Sequence, residues 1–108
     1  MSNYVGTTSV IFSISLGSRR VNLVRVDVTN YNHSTGIPFY PQLVGLGVIE
    51  FVIGGVHGVF SGASDPALIA YDPTQSACFC YSTPDTPVPD DVNIYANNGP
   101  ILFLVIGA

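Results

Sequence analysis

Apolar and polar residues alternate along short stretches of the chain, and this period of two predicts β-strands. From Thr8 to Leu16 one side carries Val10, Phe12, Ile14 and Leu16, and Ser13 and Ser15 fall on the other. From Val21 to Thr29 valines form one side, while the opposite side carries both apolar and charged residues. Both stretches are predicted to be half-buried strands, joined by a turn at residues 17–20.

Six further stretches have strand character, and residues typical of turns separate them. The last stretch is apolar at almost every position, which predicts a central strand with both faces covered. Gly54-Gly55 predicts a turn between the first two stretches, and Asp72-Pro73 predicts a hairpin turn between the third and the fourth. The six stretches are Val48–Ile53, Val56–Ser61, Ala67–Tyr71, Ala77–Tyr81, Val92–Ala96 and Pro100–Ile106.

About eight strands in a chain of 108 residues predict one all-β domain that spans residues 1–108. Residues 42–46 are predicted to form one helical turn that ends at Gly47, and residues 82–91 a loop without strand character. Because each half-buried strand must bury its apolar side, we predict a single-domain β-sandwich. Its two packed antiparallel sheets would be of jelly-roll or Greek-key type.

Charged residues make up only 9% of the chain, whereas a typical soluble domain has about 25%. There is no lysine, so much of the surface must be neutral. Neutral surfaces suit packing against other chains, because few charges have to lose their water on contact. We therefore predict a protein that assembles with other chains; a small neutral monomer is the alternative.

The few charges also bear on the choice of partner. The net charge is −4 and there are three arginines, so no basic cluster is available to neutralise phosphates, and we predict no nucleic-acid partner. All three arginines lie before residue 26 while the acids continue to Asp91, which favours head-to-tail contacts between copies. The apolar tail Ile101–Ile106 is shorter than the roughly 20 residues that span a bilayer, and the first residues lack the pattern of a secretory leader. We expect synthesis in a host cytoplasm and no membrane partner.

The residues that most often carry chemistry form no recognisable site. Cys78 and Cys80 share one face of a predicted strand at a spacing that fits a disulfide poorly, so we predict two buried or half-buried thiols. A zinc site would need four ligands, and only the two histidines remain as partners. His57 lacks the spacing of a catalytic triad, and Asp90-Asp91 lack the spacing of a calcium loop. We therefore predict no enzyme activity, no metal and no cofactor.

One loop is a candidate contact site. In residues 37–41 two aromatics lie between two prolines, whose rigid backbone would present the rings at little cost in entropy. Aromatic side chains on such loops are typical anchors of interfaces. In the alternative interpretation, Phe39 folds back and caps the sandwich. Together with the arginine-rich turn, the predicted interface residues are Ile37, Pro38, Phe39, Tyr40, Pro41, Arg19 and Arg20.

A series of short motifs resembles a known layout. Gly36-Ile37-Pro38 follows a polar loop, Gly45-Leu46 leads into an apolar strand, and Tyr71-Asp72-Pro73 forms a hairpin turn, before the chain closes on Val105-Ile106-Gly107. From about Val24 to the last residue, this layout resembles small virion structural proteins of tailed bacteriophages, most of all their capsid decoration, or cement, proteins. The Pro- and Asp-rich loop at 82–91 departs from the small Ala/Gly/Thr stretch of that pattern, so contacts made there are not carried over.

The resemblance implies a β-sandwich domain, often trimeric, that binds the major capsid protein outside the head and reinforces the shell. It implies no catalytic residues. We therefore predict a non-enzymatic homotrimer on the surface of a virion. The alternatives are a phage tail or baseplate component, a small hydrolase, and a carbohydrate-binding module whose stacking platforms would be Tyr31, Phe39 or Tyr40.

Overall fold

The computed structural model describes residues 3–56, 62 and 64–108. The strands in these ranges are β1 Val5–Leu16, β2 Arg19–Asn30, β3 Ile37–Pro38, β4 Ile49–Val56, β5 Leu68–Asp72, β6 Ala77–Thr83, β7 Thr86–Pro87 and β8 Ile101–Gly107. A 3-10 helix covers Pro41–Val44, and a short α-helix, α1, covers Ile94–Asn98. The loop that was predicted to have no strand character therefore contains the two-residue β7.

The strands form two antiparallel sheets. The first has the order β1-β2-β8-β4, and the second has the order β3-β6-β5 with β7 beside β6. The predicted hairpin across the Asp-Pro turn is β5–β6. The prediction of an all-β domain with about eight strands in two antiparallel sheets is confirmed, and the β-sandwich arrangement of jelly-roll or Greek-key type stays a prediction.

β8 lies in the centre of the first sheet, as its apolar sequence predicts. It pairs with β2 on one side and with β4 on the other. Phe103 and Ile101 of β8 stand opposite Val24 and Val26 of β2, and all four side chains are fully buried. The alternation along these two strands therefore sets which side of the first sheet faces the core.

Phe39 links the two sheets across the core. Its ring packs against Phe103 of β8 and Tyr71 of β5, with ring centroids 4.7 and 5.8 Å apart. Cys78 and Cys80 of β6 belong to the same buried cluster. Full burial of a large apolar side chain contributes roughly 1.5–3 kcal/mol, so this contact is a main tie between the sheets.

β4 runs straight through Gly54 and Gly55, where a turn is predicted. Gly54 lies opposite Phe103, and a Cβ at Gly54 would come within 2.6 Å of the Phe103 ring. The large ring across the strand pair, rather than a turn, therefore requires this glycine. The two strands predicted on either side of the glycines are one strand as far as Val56, and residues 57–61 of the second prediction lie outside the described residues.

The predicted strand Val92–Ala96 is wrong, because α1 occupies this part of the chain. The Asn93 side chain accepts a hydrogen bond of 2.9 Å from the Ala96 N–H, which caps the first turn of the helix. Ile94 and Asn98, one helical turn apart, are the buried residues of α1. A local side-chain cap therefore outweighs the short apolar alternation that suggested a strand.

The predicted helical turn is present, but it begins one residue earlier and ends at Gly45 rather than at Gly47. Gly45 has a φ of 79°, a left-handed conformation that suits glycine after a helix. Asn22 of β2 donates a hydrogen bond of 2.7 Å from Nδ2 to the Val44 carbonyl oxygen. This buried contact fixes the 3-10 helix against the first sheet.

Tyr31 fastens the loop after β2 to β6. Its hydroxyl oxygen accepts a hydrogen bond of 2.8 Å from the Cys80 backbone N–H and lies 2.8 Å from His33 Nδ1. Burial raises the pKa of Tyr31 above its ordinary value, so the phenol keeps its proton and can donate it to the imidazole nitrogen. One hydroxyl group thus connects a buried strand to a half-buried loop.

We expect the substitution Tyr31→Phe to lower the free energy of unfolding by about 1–3 kcal/mol, because it leaves the buried Cys80 N–H without its acceptor. The matched control Tyr40→Phe, at an exposed tyrosine, should change it by less than about 0.5 kcal/mol. Urea unfolding followed by tyrosine fluorescence measures both. Equal effects of the two substitutions would contradict this role of Tyr31.

Candidate assembly surface

The side of the first sheet that faces away from the core carries a nearly continuous apolar surface, here called the outer face. Directly paired residues of an antiparallel sheet point to the same side, so strand pairing sets these side chains in rows. One row is Phe12, Leu23, Leu104 and Ile53, and the next is Ile14, Val21, Ile106 and Phe51. The ten residues of the outer face are these eight, together with Leu16 and Leu102 at the two ends.

The outer face is open to solvent. Exposure is largest on the two edge strands, where Phe12 is 47% exposed and Phe51 and Ile53 are each 53% exposed. In the centre of the face, Leu104 is still 37% exposed. Single exposed apolar residues are ordinary on protein surfaces, whereas contiguous patches of this kind mark interaction sites.

β1 turns its apolar side outward and its polar side inward. A β-bulge after Val10 shifts the register, so Val10 lies on the inner side opposite Val24, whereas the apolar residues at positions 12, 14 and 16 lie on the outer face and Ser13 and Ser15 on the inner side. The prediction that Val10 shares a side with these three apolar residues is therefore wrong. The prediction that β1 is half-buried is wrong for the single chain, because every residue of β1 except Thr8 is exposed. Alternation shows which side of a strand is apolar, and in β1 beyond the bulge that side is the outer one.

Two ion pairs border the outer face, one at each end. Arg19 Nε lies 2.6 Å from Glu50 Oε1, and Arg25 Nε lies 2.9 Å from Asp27 Oδ1. The hydrogen bond with Asp27 and the charge of Asp27 raise the pKa of Arg25. The two rows between these pairs contain no charged side chain. The charged side chains therefore lie on either side of the two apolar rows and not within them.

The predicted contact loop is only partly accessible. Ile37 and Phe39 are fully buried, so the alternative interpretation, in which Phe39 folds back, is the one found. The pairing of β3 with β6 and a hydrogen bond of 2.8 Å from Phe39 N to Ser76 O turn these two side chains inward. The residues of the loop that remain available to a partner are Pro38, Tyr40 and, in part, Pro41, and their contact role stays a prediction.

Both predicted arginines are exposed at the tip of the β1–β2 hairpin. Arg19 belongs to the border of the outer face through its ion pair with Glu50. The Arg20 guanidinium donates a hydrogen bond of 3.4 Å from Nη1 to the Gly45 carbonyl oxygen. The hairpin tip and the end of the 3-10 helix therefore meet at one end of the domain, with Tyr40 just before that helix.

Cys78 and Cys80 are free thiols buried in the core, as predicted. Burial raises the pKa of both thiols, to about 12 for Cys80. Since the thiolate is the nucleophilic form of cysteine, neither residue has the character of a catalytic nucleophile near neutral pH.

The carboxylates of the loop before α1 bind groups of the chain itself. Asp90 Oδ1 accepts a hydrogen bond of 2.8 Å from the His33 backbone N–H, and Asp91 Oδ1 accepts one of 3.2 Å from Asn30 Nδ2. Among the residues that the structure describes, no group of three or more His, Cys, Asp or Glu side chains is placed to hold a metal ion. The candidate His57 lies outside the described residues.

The sequence prediction missed the outer face, although β8 carried a signal for it. A central strand with apolar residues on both sides has two sides to bury, and the second sheet covers one of them. The prediction that both faces of β8 are covered is wrong within the single chain, because Leu102 and Leu104 remain exposed.

Across the described ranges, no helix has the length and apolar character required to cross a bilayer.

Comparison with protein-family models, with curated proteins and with solved structures found no match to this chain. The interpretation of the outer face therefore rests on its own residues.

We predict that stability falls as the pH rises above about 9, because the folded protein holds the Cys80 thiol neutral. The pKa of Cys80 is raised from 9.0 to about 12, so its contribution is complete below pH 9 and is lost as the pH rises toward 12. The slope should be about 1.4 kcal/mol per pH unit for this thiol. Urea unfolding at a series of pH values measures it. The variant Cys80→Ala should show a shallower slope, and an equal slope would show that other groups carry the loss.

Proposed function

We propose that this protein is a non-enzymatic virion structural protein: a capsid decoration protein that binds the outer surface of a bacteriophage head as a homotrimer. The major capsid protein is its partner, and the bound domain stabilises the shell from outside. The observation that carries the proposal is the outer face, an exposed sheet surface on which ten apolar side chains lie in register.

The chemistry of the outer face suits a permanent contact. Obligate interfaces are more apolar than transient ones, and their centres are depleted of charged residues. The outer face has this composition, with its charges confined to an ion pair at each end. The chain as a whole has only 9% charged residues, so few charges lose water when subunits pack together.

A homotrimer also supplies a mechanism for tight attachment by a small domain. Three copies present three equal contact sites to a shell, and once the first is bound the other two bind as intramolecular events. Modest single contacts then add to a long-lived attachment. The exposed Pro38 and Tyr40 and the half-buried Pro41 are candidates for such a contact, because the backbone that carries them is held by β6.

The setting in a phage head is supported by the motif layout from Gly36 to Gly107, and two glycines of that layout have a structural reason. Gly36 has a φ of 70°, and a Cβ there would lie 2.8 Å from the Cys78 carbonyl oxygen. A Cβ at Gly107 would overlap the Val48 carbonyl oxygen. At these two positions the fold therefore requires glycine, and proteins with a similar layout would need glycine at the corresponding positions.

The carbohydrate-binding alternative loses support from the positions of its aromatic residues. A stacking platform must expose a ring face to the sugar, and both Tyr31 and Phe39 are fully buried. Of the three candidate platforms, Tyr40 alone is accessible, at 42% exposure. A tail or baseplate component would use the same apolar face, so the experiment below has to separate it from a head protein.

The test is to purify particles from the culture that produces this chain, to quantify the chain by mass spectrometry and to locate it by electron cryo-microscopy. We predict many copies for each particle, present as trimeric densities on the outer surface of the head. Particles from a deletion strain should lose DNA at a lower temperature or a milder osmotic shock than the parent particles.

Two results would contradict the proposal. Absence of the chain from particles would exclude a virion role, and density confined to the tail would identify a tail component. A complemented deletion strain is the control, since it must restore both the density and the resistance of the heads.

A further inference from the structure

We infer that a second copy of this chain covers the outer face, so that the protein self-associates through the exposed side of its first sheet. The inference deepens the proposed function and rests on it for the setting in a shell. The occupant itself is argued from the residues of the outer face.

The apolar side of β1 beyond the bulge faces outward. Between the bulge and the end of the strand, apolar side chains point outward while Ser13 and Ser15 point to the inner side of the sheet. In a monomer, this arrangement leaves the apolar side of the strand in water. A partner on the outer face is the arrangement that gives the apolar side of β1 a place to be buried.

The apolar area of the outer face is close to that of a stable interface. The ten apolar side chains of the outer face expose on the order of 700 Å² of apolar surface on each copy. A stable interface buries about 800 Å² on each partner, polar and apolar surface taken together. The outer face alone therefore supplies most of the required area, and the border residues around it can supply the rest.

The charges at the border of the outer face are compatible with a second copy. Another copy brings the same apolar rows and the same border, in which Arg19 is paired with Glu50 and Arg25 with Asp27. Both border pairs are neutral units, so packing of the outer faces leaves no uncompensated charge in the contact. In the proposed homotrimer the three outer faces would meet around the three-fold axis, so that each face contacts its counterparts on two neighbouring copies.

Solubility before attachment favours a copy of the same chain over the capsid protein as the partner of the outer face. A decoration protein is made apart from the shell and must remain soluble until it binds. An open apolar face of this size promotes aggregation. A second copy is present at the same place and concentration from synthesis onward, so it covers the face before the shell is reached.

The test is the molecular mass of the purified protein by gel filtration with light scattering, for the wild type and for Leu104→Glu. Leu104 lies outside the core in the centre of the outer face, so the glutamate stays solvated in a folded monomer. In the complex the same carboxylate would be buried, and we expect the dissociation constant to rise about 100- to 1,000-fold. The wild type should have a mass of at least twice 11.4 kDa, and of three times 11.4 kDa as the proposed homotrimer, whereas the variant should approach 11.4 kDa.

Leu68→Glu is the matched control, because Leu68 is an exposed strand leucine of similar accessibility on the second sheet. It should keep the wild-type mass. Ile53→Glu, on the edge of the outer face, should also approach the mass of a monomer. This second variant keeps the test valid if Leu104→Glu folds poorly. Circular dichroism and a thermal melt establish that each variant is folded.

Two results would overturn the inference. A monomeric wild type at its highest soluble concentration would exclude self-association, and loss of head binding by Leu104→Glu in that case would assign the face to the capsid protein. An unchanged mass of Leu104→Glu and Ile53→Glu would move the contact elsewhere, for example to the free edge of β1. Conversely, a wild-type oligomer that both variants dissociate, combined with absence from virions, would sustain this inference and contradict the capsid proposal.

Discussion

β8 is apolar on both sides and lies in the middle of a sheet, so both of its sides need a cover. Ile101, Phe103 and Val105 face the core, where the second sheet and Phe39 cover them. Leu102 and Leu104 face outward, and within the chain nothing of the described structure buries them. One cover is built into the chain, and we propose that the other is supplied by a second copy.

This division separates the contacts that make the fold from those that make the assembly. The buried valines of β2, the Phe103 ring over Gly54 and the Tyr31 hydroxyl on Cys80 hold the single domain together. A domain of this size has a stability of roughly 5–15 kcal/mol. Association through the outer face would add to it by mass action, because only the folded chain presents the apolar rows in register. Folding and assembly would thus reinforce each other without a separate binding loop.

Much of the fold could be predicted from the sequence, because period-two alternation identifies strands wherever one side is buried. The alternation placed the long hairpin, the Asp-Pro hairpin and the central position of β8. It failed at Val92–Ala96, where the Asn93 cap makes a helix, and at Gly54, whose role depends on a ring in another strand. It also failed for β1 and for Phe39, because alternation shows that one side is apolar and cannot show which layer covers it. The outer face was out of reach for the same reason: it depends on the strand order, which pairs β8 with β2 and β4.

The most direct test of self-association through the outer face is the thermal unfolding midpoint as a function of protein concentration. An assembly linked to folding makes the midpoint depend on concentration, whereas a monomer unfolds at one temperature. The account predicts a midpoint that rises with wild-type concentration and a constant, lower midpoint for Leu104→Glu. A wild-type midpoint that stays the same at every protein concentration tested would contradict self-association through the outer face.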